Sequence, residues 1–227
     1  MRGLLVTGTD TGVGKTVVTA ALLAAMRAAG EPRAAFKPAV TGLDDPPEDG
    51  WPADHELLAR EAGAAPADVV PYTFGPAVSP HLAAELAGVR IDPERLVELA
   101  RAAGQRGALV VEGVGGLLVP LTASFSVCDL AVELGLPLVI VARAGLGTIN
   151  HSLLTLTHAR ARGVRVRAVV LNRWPAAPGE IERSNRKTIE QLGDVEVVTL
   201  ADLARAEPAL LAAAGEALCW RRLVGGS

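Results

Sequence analysis

A glycine-rich segment, Gly8-Thr9-Asp10-Thr11-Gly12-Val13-Gly14-Lys15-Thr16, has the residue types and spacing that bind nucleotide phosphates. Its glycines let backbone amides turn toward phosphate oxygens, and a helix that starts here adds partial positive charge. Lys15 can reach the outer phosphates, and the hydroxyl of Thr16 can ligate magnesium. The alternative is a glycine-rich turn with an incidental lysine. An apolar run before the segment and a helical pattern after it favour the phosphate-binding loop.

Two acidic residues are candidate ligands for a magnesium ion, which prefers oxygen ligands. Glu112 ends the apolar run 108–112, where a buried charge is costly unless it faces a site at the carboxyl edge of a sheet. The glycines after it leave room for a ligand, although a helix cap or an ion pair at the strand end would also explain Glu112. Asp54 fits a metal ligand and an ordinary N-terminal helix residue equally well.

Lysine is rare in this chain: only three of the 22 basic residues are lysine, and the others are arginine. Lysine carries a compact charge, whereas the guanidinium of arginine is broad and planar. The use of lysine at positions 15 and 37 therefore indicates sites where the broader guanidinium of arginine would fit poorly. Lys187 lies on the polar face of a predicted helix, so we expect it to be solvated.

The elements that would position these residues follow from the hydrophobic pattern. Short apolar runs alternate with longer segments of helical spacing, which predicts an α/β fold with a parallel sheet and helices on both faces. The predicted strands are 4–7, 34–37, 108–112, 137–142, 166–172 and 195–198. The predicted helices are 15–29, 54–62, 80–87, 93–104, 127–134, 150–162, 179–192 and 200–214.

Length and composition restrict the classes of function. The 227 residues, half of them apolar, fit one domain over 1–227. The net charge of −3 gives no reason to expect a nucleic-acid or anionic-membrane partner. No signal peptide or membrane span is predicted, so we expect a cytoplasmic protein. Residues 44–52 should form a surface loop, residues 223–227 a frayed tail, and the two cysteines should be inert.

Several motifs, taken together over roughly residues 4–172, resemble the dethiobiotin synthetase family. They are the phosphate-loop segment 8–16, Phe36-Lys37-Pro38 with Thr41-Gly42, Pro71-Tyr72-Thr73-Phe74 with Ser79-Pro80-His81, Val111-Glu112-Gly113 with Gly115-Gly116, and Gly147-Thr148-Ile149-Asn150-His151. The resemblance implies a three-layer, P-loop NTPase-like fold. It also implies a reaction in which ATP, carbon dioxide and 7,8-diaminononanoate give dethiobiotin, ADP and phosphate through a carbamate.

The resemblance also implies roles for individual residues. It implies that Lys15, Lys37 and Thr11 are catalytic and that Thr16, Asp54 and Glu112 bind Mg2+. The residues that it implies bind the nucleotide are Gly12, Val13, Gly14, Lys15, Thr16, Val17, Asp54, Glu112, Gly113, Gly115, Asn172 and Arg173. The diamine would contact Thr41 and, through its carboxylate, a helix start on the partner subunit of a homodimer that includes Gly147, Ile149 and Asn150. For Asn150 a simple helix cap is the alternative, and for His81 and His151 we prefer a structural role.

The sequence departs from the family pattern where the base of the nucleotide is read. Asn172-Arg173-Trp174 lacks the usual Asn-Asp pair, and segment 195–200 lacks the usual glycine and proline, so base selectivity should be loose. The rival class is a dimeric switch ATPase of the partitioning or septum-positioning kind. Its loop carries an additional lysine that Gly8-Thr9-Asp10 lacks. A related cobyrinate-amidating synthetase would need a further glutamine-hydrolysing domain, for which this chain is too short.

Overall fold

A six-stranded parallel sheet forms the centre of the computed structural model, which describes residues 1–45 and 51–225. The eight strands in the described residues are β1 (Gly3–Gly8), β2 (Arg33–Phe36), β3 (Ala108–Gly116), β4 (Pro120–Thr122), β5 (Phe125–Ser126), β6 (Leu138–Arg143), β7 (Val166–Trp174) and β8 (Val197–Ala201). The sheet order is β2-β3-β1-β6-β7-β8, while β4 and β5 form a separate antiparallel pair.

Helices cover both faces of the sheet. In chain order they are α1 (Lys15–Ala28), α2 (Asp54–Ala62), α3 (Pro66–Val69), α4 (Pro80–Leu86), α5 (Pro93–Gly104), α6 (Val127–Leu134), α7 (Thr148–Ala161), α8 (Glu180–Gly193), α9 (Pro208–Ala217) and α10 (Trp220–Val224). One apolar layer joins the sheet to α1, α2, α9 and α10, and the layers on the other face join it to α5, α6, α7 and α8. The predicted three-layer α/β fold is confirmed.

Strand β1 shows why the central strands are apolar throughout. Its side chains alternate between the two faces: Leu4 and Val6 pack in the layer of α1, and Leu5 packs in the layer of α5 and α6. The strand pairs with β3 on one side and β6 on the other. The chain therefore reverses its direction of winding next to β1, and in open parallel sheets ligands bind outside the carboxyl ends of the strands at such a point.

The first five predicted strands and most predicted helices agree with the structure within a few residues. Strand β3 continues four residues beyond Glu112, and α7 begins at Thr148 rather than Asn150. The prediction fails near the C-terminus. The strand expected at 195–198 is displaced to Val197–Ala201, and the helix expected at 200–214 begins only at Pro208, whose fixed φ suits the first turn of a helix.

The expected C-terminal tail is wrong where the structure describes it. Leu223 and Val224 lie in α10 and are buried, because this short helix packs against the layer of α1. Residues 226–227 of that expected tail, and residues 46–50 of the expected surface loop, lie outside the described residues. Within residues 1–45 and 51–225, no helix combines the length and the apolar character that a bilayer span requires.

Gly215 lies where α9 packs tightly against α1. A Cβ atom at this position would lie 2.1 Å from the carbonyl oxygen of Ala21 and 2.6 Å from the Cβ of Ala25. We expect Gly215→Ala to lower the free energy of unfolding by about 2 kcal/mol, because the two helices must move apart despite the better helix propensity of alanine. Urea denaturation measures this change. Ala213→Gly, on the exposed side of the same helix, controls for propensity. An unchanged Gly215→Ala midpoint would contradict the close packing.

Candidate active site

The glycine-rich segment joins the end of β1 to the start of α1, as its sequence predicts. Gly12 and Gly14 have φ angles of 72° and 92°, a left-handed conformation that glycine adopts at little cost. Gly14 also lies against Asn172, since a Cβ atom at Gly14 would be 1.9 Å from the amide nitrogen of Asn172. That amide donates a hydrogen bond of 3.0 Å to the carbonyl oxygen of Val13, so β7 supports the loop from behind.

A cavity of about 290 Å3 opens beside this loop. It is lined by residues that are distant in sequence, because the carboxyl ends of neighbouring parallel strands meet at one edge of the sheet. Of the residues named from the sequence, the cavity is lined by Thr11, Gly12, Gly14, Lys15, Thr16, Val17, Lys37, Thr41, Asp54, Glu112, Gly113, Gly115, Asn172 and Arg173. Val13 is buried and lines a neighbouring groove instead.

Lys37 is the centre of an ion-pair network in this cavity. It follows β2 directly, is only 4% exposed, and donates a hydrogen bond of 2.7 Å to Oε1 of Glu112. Its ammonium also binds the carboxylate of Asp54, the first residue of α2. Burial alone would lower the pKa of Lys37, but the two carboxylates outweigh burial and hold this pKa above its ordinary value. Lys37 therefore stays protonated at neutral pH.

Lys15 has a different environment. Its ammonium donates a hydrogen bond of 3.1 Å to the backbone carbonyl of Asp10, and its side chain is largely buried in the loop. Burial lowers the pKa of Lys15 from its ordinary value, partly opposed by the charge of Glu112, while the like charge of Lys37 lowers it further. An anion at this position would relieve that lowering, so the loop is electrostatically suited to a phosphate group.

The oxygen atoms of Thr16, Asp54 and Glu112 form a donor set that suits a hard cation. The Thr16 hydroxyl donates a hydrogen bond of 2.9 Å to Oε1 of Glu112, which lies fully buried inside β3. The sequence left open that Glu112 serves in an ion pair instead of as a metal ligand, and the structure contains such an ion pair, with Lys37. Oε2 of Glu112 is buried and has no hydrogen-bond partner among the described residues, so this carboxylate has an oxygen to offer.

The described residues contain no group of three or more histidine, cysteine, aspartate or glutamate side chains that could hold a metal ion by themselves. A cation beside the phosphate loop can take oxygen atoms from a bound phosphate as well as from the protein. Magnesium is commonly bound in this way, through one or two carboxylates and the substrate's phosphates.

Three of the predicted substrate residues lie apart from the cavity. Gly147, Ile149 and Asn150 are at the N-terminus of α7, and none of them lines the cavity. Gly147 is the N-cap of this helix, with a φ angle of 91° and no capping side chain, so the alternative reading of Asn150 as a cap is wrong. The side chains of Asn150 and His151 are exposed. His81 is exposed as well and lies 3.0 Å from the hydroxyl of Ser79.

Sequence reasoning missed several residues that line the cavity. Trp51 and Leu57 add apolar surface near Asp54, and Asp202 and Leu203 also line the cavity, where Asp202 lies 3.7 Å from Arg173. Asp202 follows β8, so a correct placement of that strand would have put it at the carboxyl edge of the sheet. Nothing in the local sequence around Trp51 indicates its position.

The parallel sheet, the glycine-rich loop at the end of its central strand and the lysine at the start of α1 define a P-loop NTPase. A family profile described as an AAA domain matches residues 2–203. An ATP-dependent dethiobiotin synthetase, BioD, from Anaeromyxobacter sp. (strain K) is 50% identical over 195 residues, which cover 81% of this chain and 85% of that protein. The enzyme of the same name from Haloferax mediterranei is 43% identical over 204 residues, with 89% and 85% covered. The chain belongs to the dethiobiotin synthetase family.

Solved structures of more distant proteins share the fold. The MinC:MinD cell division complex of Aquifex aeolicus matches with a TM-score of 0.60 at 15% identity, covering 100% of this chain and 97% of that one. The cell division ATPase MinD of Pyrococcus furiosus matches with a TM-score of 0.53 at 18% identity, with 96% and 89% covered. At these identities the likeness concerns the fold alone.

The ion pair of Asp54 predicts a pH dependence of stability. Burial raises the pKa of this carboxyl, but Lys37 outweighs burial, with help from Thr16 and Lys15, so the folded pKa lies below the ordinary value. The stabilisation is therefore complete above the ordinary pKa and is lost as the pH falls through the folded pKa. We expect the difference in unfolding free energy between the native protein and Asp54→Asn to be largest near neutral pH. Urea denaturation should show it shrinking in acid, and a difference that grows in acid would refute the ion pair.

Proposed function

We propose that this protein uses ATP to close the ureido ring of dethiobiotin on 7,8-diaminononanoate and carbon dioxide, as a step of biotin biosynthesis. Relatives that carry the synthetase name cover most of the chain at 43–50% identity. The observation that carries the proposal is the single cavity that Lys15, Lys37, Thr11 and Thr41 line together beside the phosphate loop. Such a cavity can hold a triphosphate next to a second anion.

The reaction has three steps that balance. One amine of the diamine attacks carbon dioxide, forms a C–N bond and loses a proton, which gives a carbamate. A carbamate oxygen then attacks the γ-phosphorus of ATP, ADP leaves, and a carbamic-phosphoric anhydride results. The second amine attacks the carbonyl carbon of the anhydride and loses a proton, the C–O bond to the phosphate breaks, and the ring closes as phosphate leaves.

Each step gathers negative charge in a small volume, and the positive charges of Lys15 and Lys37 can stabilise it. We propose that Lys15 and Lys37 flank the carbamate and the γ-phosphate as compact charges, while Thr11 and Thr41 donate hydrogen bonds to the carbamate or the diamine. Lys37 suits this role because its two carboxylate partners keep it protonated. Catalysis would then consist mainly of positioning and electrostatic stabilisation.

Thr16, Asp54 and Glu112 are proposed to hold Mg2+, with Glu112 offering a buried oxygen that has no hydrogen-bond partner among the described residues. When bound, the ion would screen the phosphate charges and polarise the phosphoryl group. The protein's contribution is to keep the three oxygen ligands on separate elements in one place. Thr16 is tied to Glu112, and Asp54 is tied to Lys37.

The loop residues Gly12, Val13, Gly14 and Val17, with Gly113 and Gly115, are proposed to surround the phosphates. Asn172 and Arg173 line the same cavity as Asp202 and Leu203, and we propose that they bind the base. The amide of Asn172 donates one N–H to Val13, which leaves its carbonyl oxygen and its second N–H for the base.

A homodimer is part of the proposal. Gly147, Ile149 and Asn150 lie outside the cavity of their own chain, at a helix start without a capping side chain. Free amides at such a start bind anions, so this helix is proposed to hold the substrate carboxylate in the site of the partner subunit. We also propose that the protein acts in the cytoplasm without a nucleic-acid or membrane partner, in keeping with its mildly acidic composition. Its length is in keeping with one domain over residues 1–227.

The alternative is a switch ATPase of the partitioning or septum-positioning kind, and a substrate-omission assay separates the two. ADP release is measured with ATP, Mg2+, diaminononanoate and bicarbonate, and each component is omitted in turn. We expect release to require both the diamine and the carbon dioxide source. ADP formation that ignores the diamine and rises with DNA or lipid would show that the synthetase proposal is wrong.

The two cavity lysines give the sharpest mutational test. We expect Lys15→Ala and Lys37→Ala each to lower turnover at least about a hundredfold, because each removes a cation beside the transferring phosphoryl group. Lys187→Ala is the matched control, since Lys187 is exposed on α8, and it should keep the native rate.

Loss of folding must be separated from loss of charge at Lys37, because Lys37→Ala leaves Glu112 buried without its partner. Lys37→Gln keeps two donors beside that carboxylate and should retain the native circular dichroism spectrum while remaining slow. A near-native rate in folded Lys15→Ala or Lys37→Gln would contradict the roles assigned here.

A further inference from the structure

Arg143 and Asp10 form an ion pair at the rim of the phosphate loop. A guanidinium nitrogen of Arg143 donates a hydrogen bond of 2.6 Å to Oδ2 of Asp10, and both side chains are half-exposed. Neither residue lines the main cavity, whereas Arg143 lines the neighbouring groove together with Gly12 and Val13. Arg143 therefore contacts the phosphate loop rather than the main cavity.

The sheet register places Arg143 at this position. Gly8 at the end of β1 is paired with Val141 of β6, and the amide of Thr9 donates a hydrogen bond of 2.9 Å to the carbonyl oxygen of Val141. Arg143 is two residues further along β6 and so points to the same side of the sheet as Val141. That side faces α1 and the loop that precedes it, where Val141 packs.

Asp10 connects Arg143 to two residues of the cavity. Its second carboxylate oxygen, Oδ1, accepts a hydrogen bond of 2.8 Å from the amide of Thr11. Its backbone carbonyl accepts the hydrogen bond from the ammonium of Lys15. The two oxygens of the carboxylate thus have separate partners, Thr11 on one side and Arg143 on the other.

We propose that Arg143 is a positioning residue for the synthetase reaction: it fixes the carboxylate of Asp10, which in turn fixes Thr11 toward the carbamate. This inference rests on the proposed function, because the role of Thr11 belongs to it. An exposed ion pair contributes little to stability, so the effect of Arg143 lies in the geometry of the loop. Small displacements at a reacting centre lower the rate strongly.

A double-mutant cycle tests this connection. We expect Arg143→Gln and Asp10→Asn each to lower kcat about tenfold, since Thr11 is no longer held in place. The midpoint of urea unfolding should stay unchanged. The double variant should be no slower than the slower single variant, because the two residues act as one unit. Effects on kcat that multiply would show that Arg143 acts independently of Asp10 and would overturn the inference.

Two further variants separate positioning from general damage. Arg143→Lys keeps a cation within reach of Asp10 and should recover part of the lost kcat. Arg95→Gln removes an arginine of similar exposure from an ion pair with Glu98 on α5, away from the loop, and should keep the native kcat. Equal losses in Arg95→Gln and Arg143→Gln would overturn the inference.

A measurement that needs no turnover completes the test. Amide hydrogen exchange at Thr11, followed by NMR on the full chain, should become about tenfold faster in Arg143→Gln than in the native protein, because the acceptor is less well fixed. It should stay native in Arg95→Gln. An unchanged rate at Thr11 in Arg143→Gln would overturn the inference even if the native protein proved inactive toward the diamine, a result that would separately refute the proposed function.

Discussion

The buried contact between Lys37 and Glu112 is the interaction on which the site depends. Lys37 follows β2 and Glu112 lies in β3, and the parallel register pairs Phe36 with Val111, the residues just before them. Strand pairing alone therefore brings the two charges together. Because Glu112 is fully buried, removal of Lys37 leaves a buried charge without its hydrogen-bonded partner. The polar arrangement of the site is thus set by the sheet before any ligand arrives.

Most of the fold could be predicted because the strands of a parallel sheet are buried on both faces. Such strands give unbroken apolar runs, as Leu4 to Val6 and Leu138 to Val141 do. The prediction failed after Val195, where alternation and helical spacing overlap. There the alanine-rich stretch offers few breaks, and its helical spacing extends to both sides of Pro208, where α9 begins. Short elements such as α3 and the β4–β5 pair depend on tertiary packing rather than on local pattern.

The site could be predicted as far as it is local or lies at strand ends. The phosphate loop, Lys37 and Glu112 line one cavity. This could be predicted because each of them lies at or just after the end of an apolar run that the sequence shows as a strand. Contacts across the sheet could not be foreseen. The support of the loop by Asn172 and the pairing of Asp10 with Arg143 join residues more than a hundred positions apart, and they follow only from the order β3-β1-β6-β7. The roles of the individual residues remain predictions.

The C-terminal helices show how the phosphate loop is supported by the layer of helices on its own face of the sheet. Helices α9 and α10 pack in one apolar layer with α1, the helix that begins at Lys15, and Trp220 and Leu223 are buried there. A chain shortened before α10 would expose apolar side chains of the α1 layer to water and so destabilise the helix that begins at the phosphate loop. A label attached beyond Gly225 would leave that layer buried.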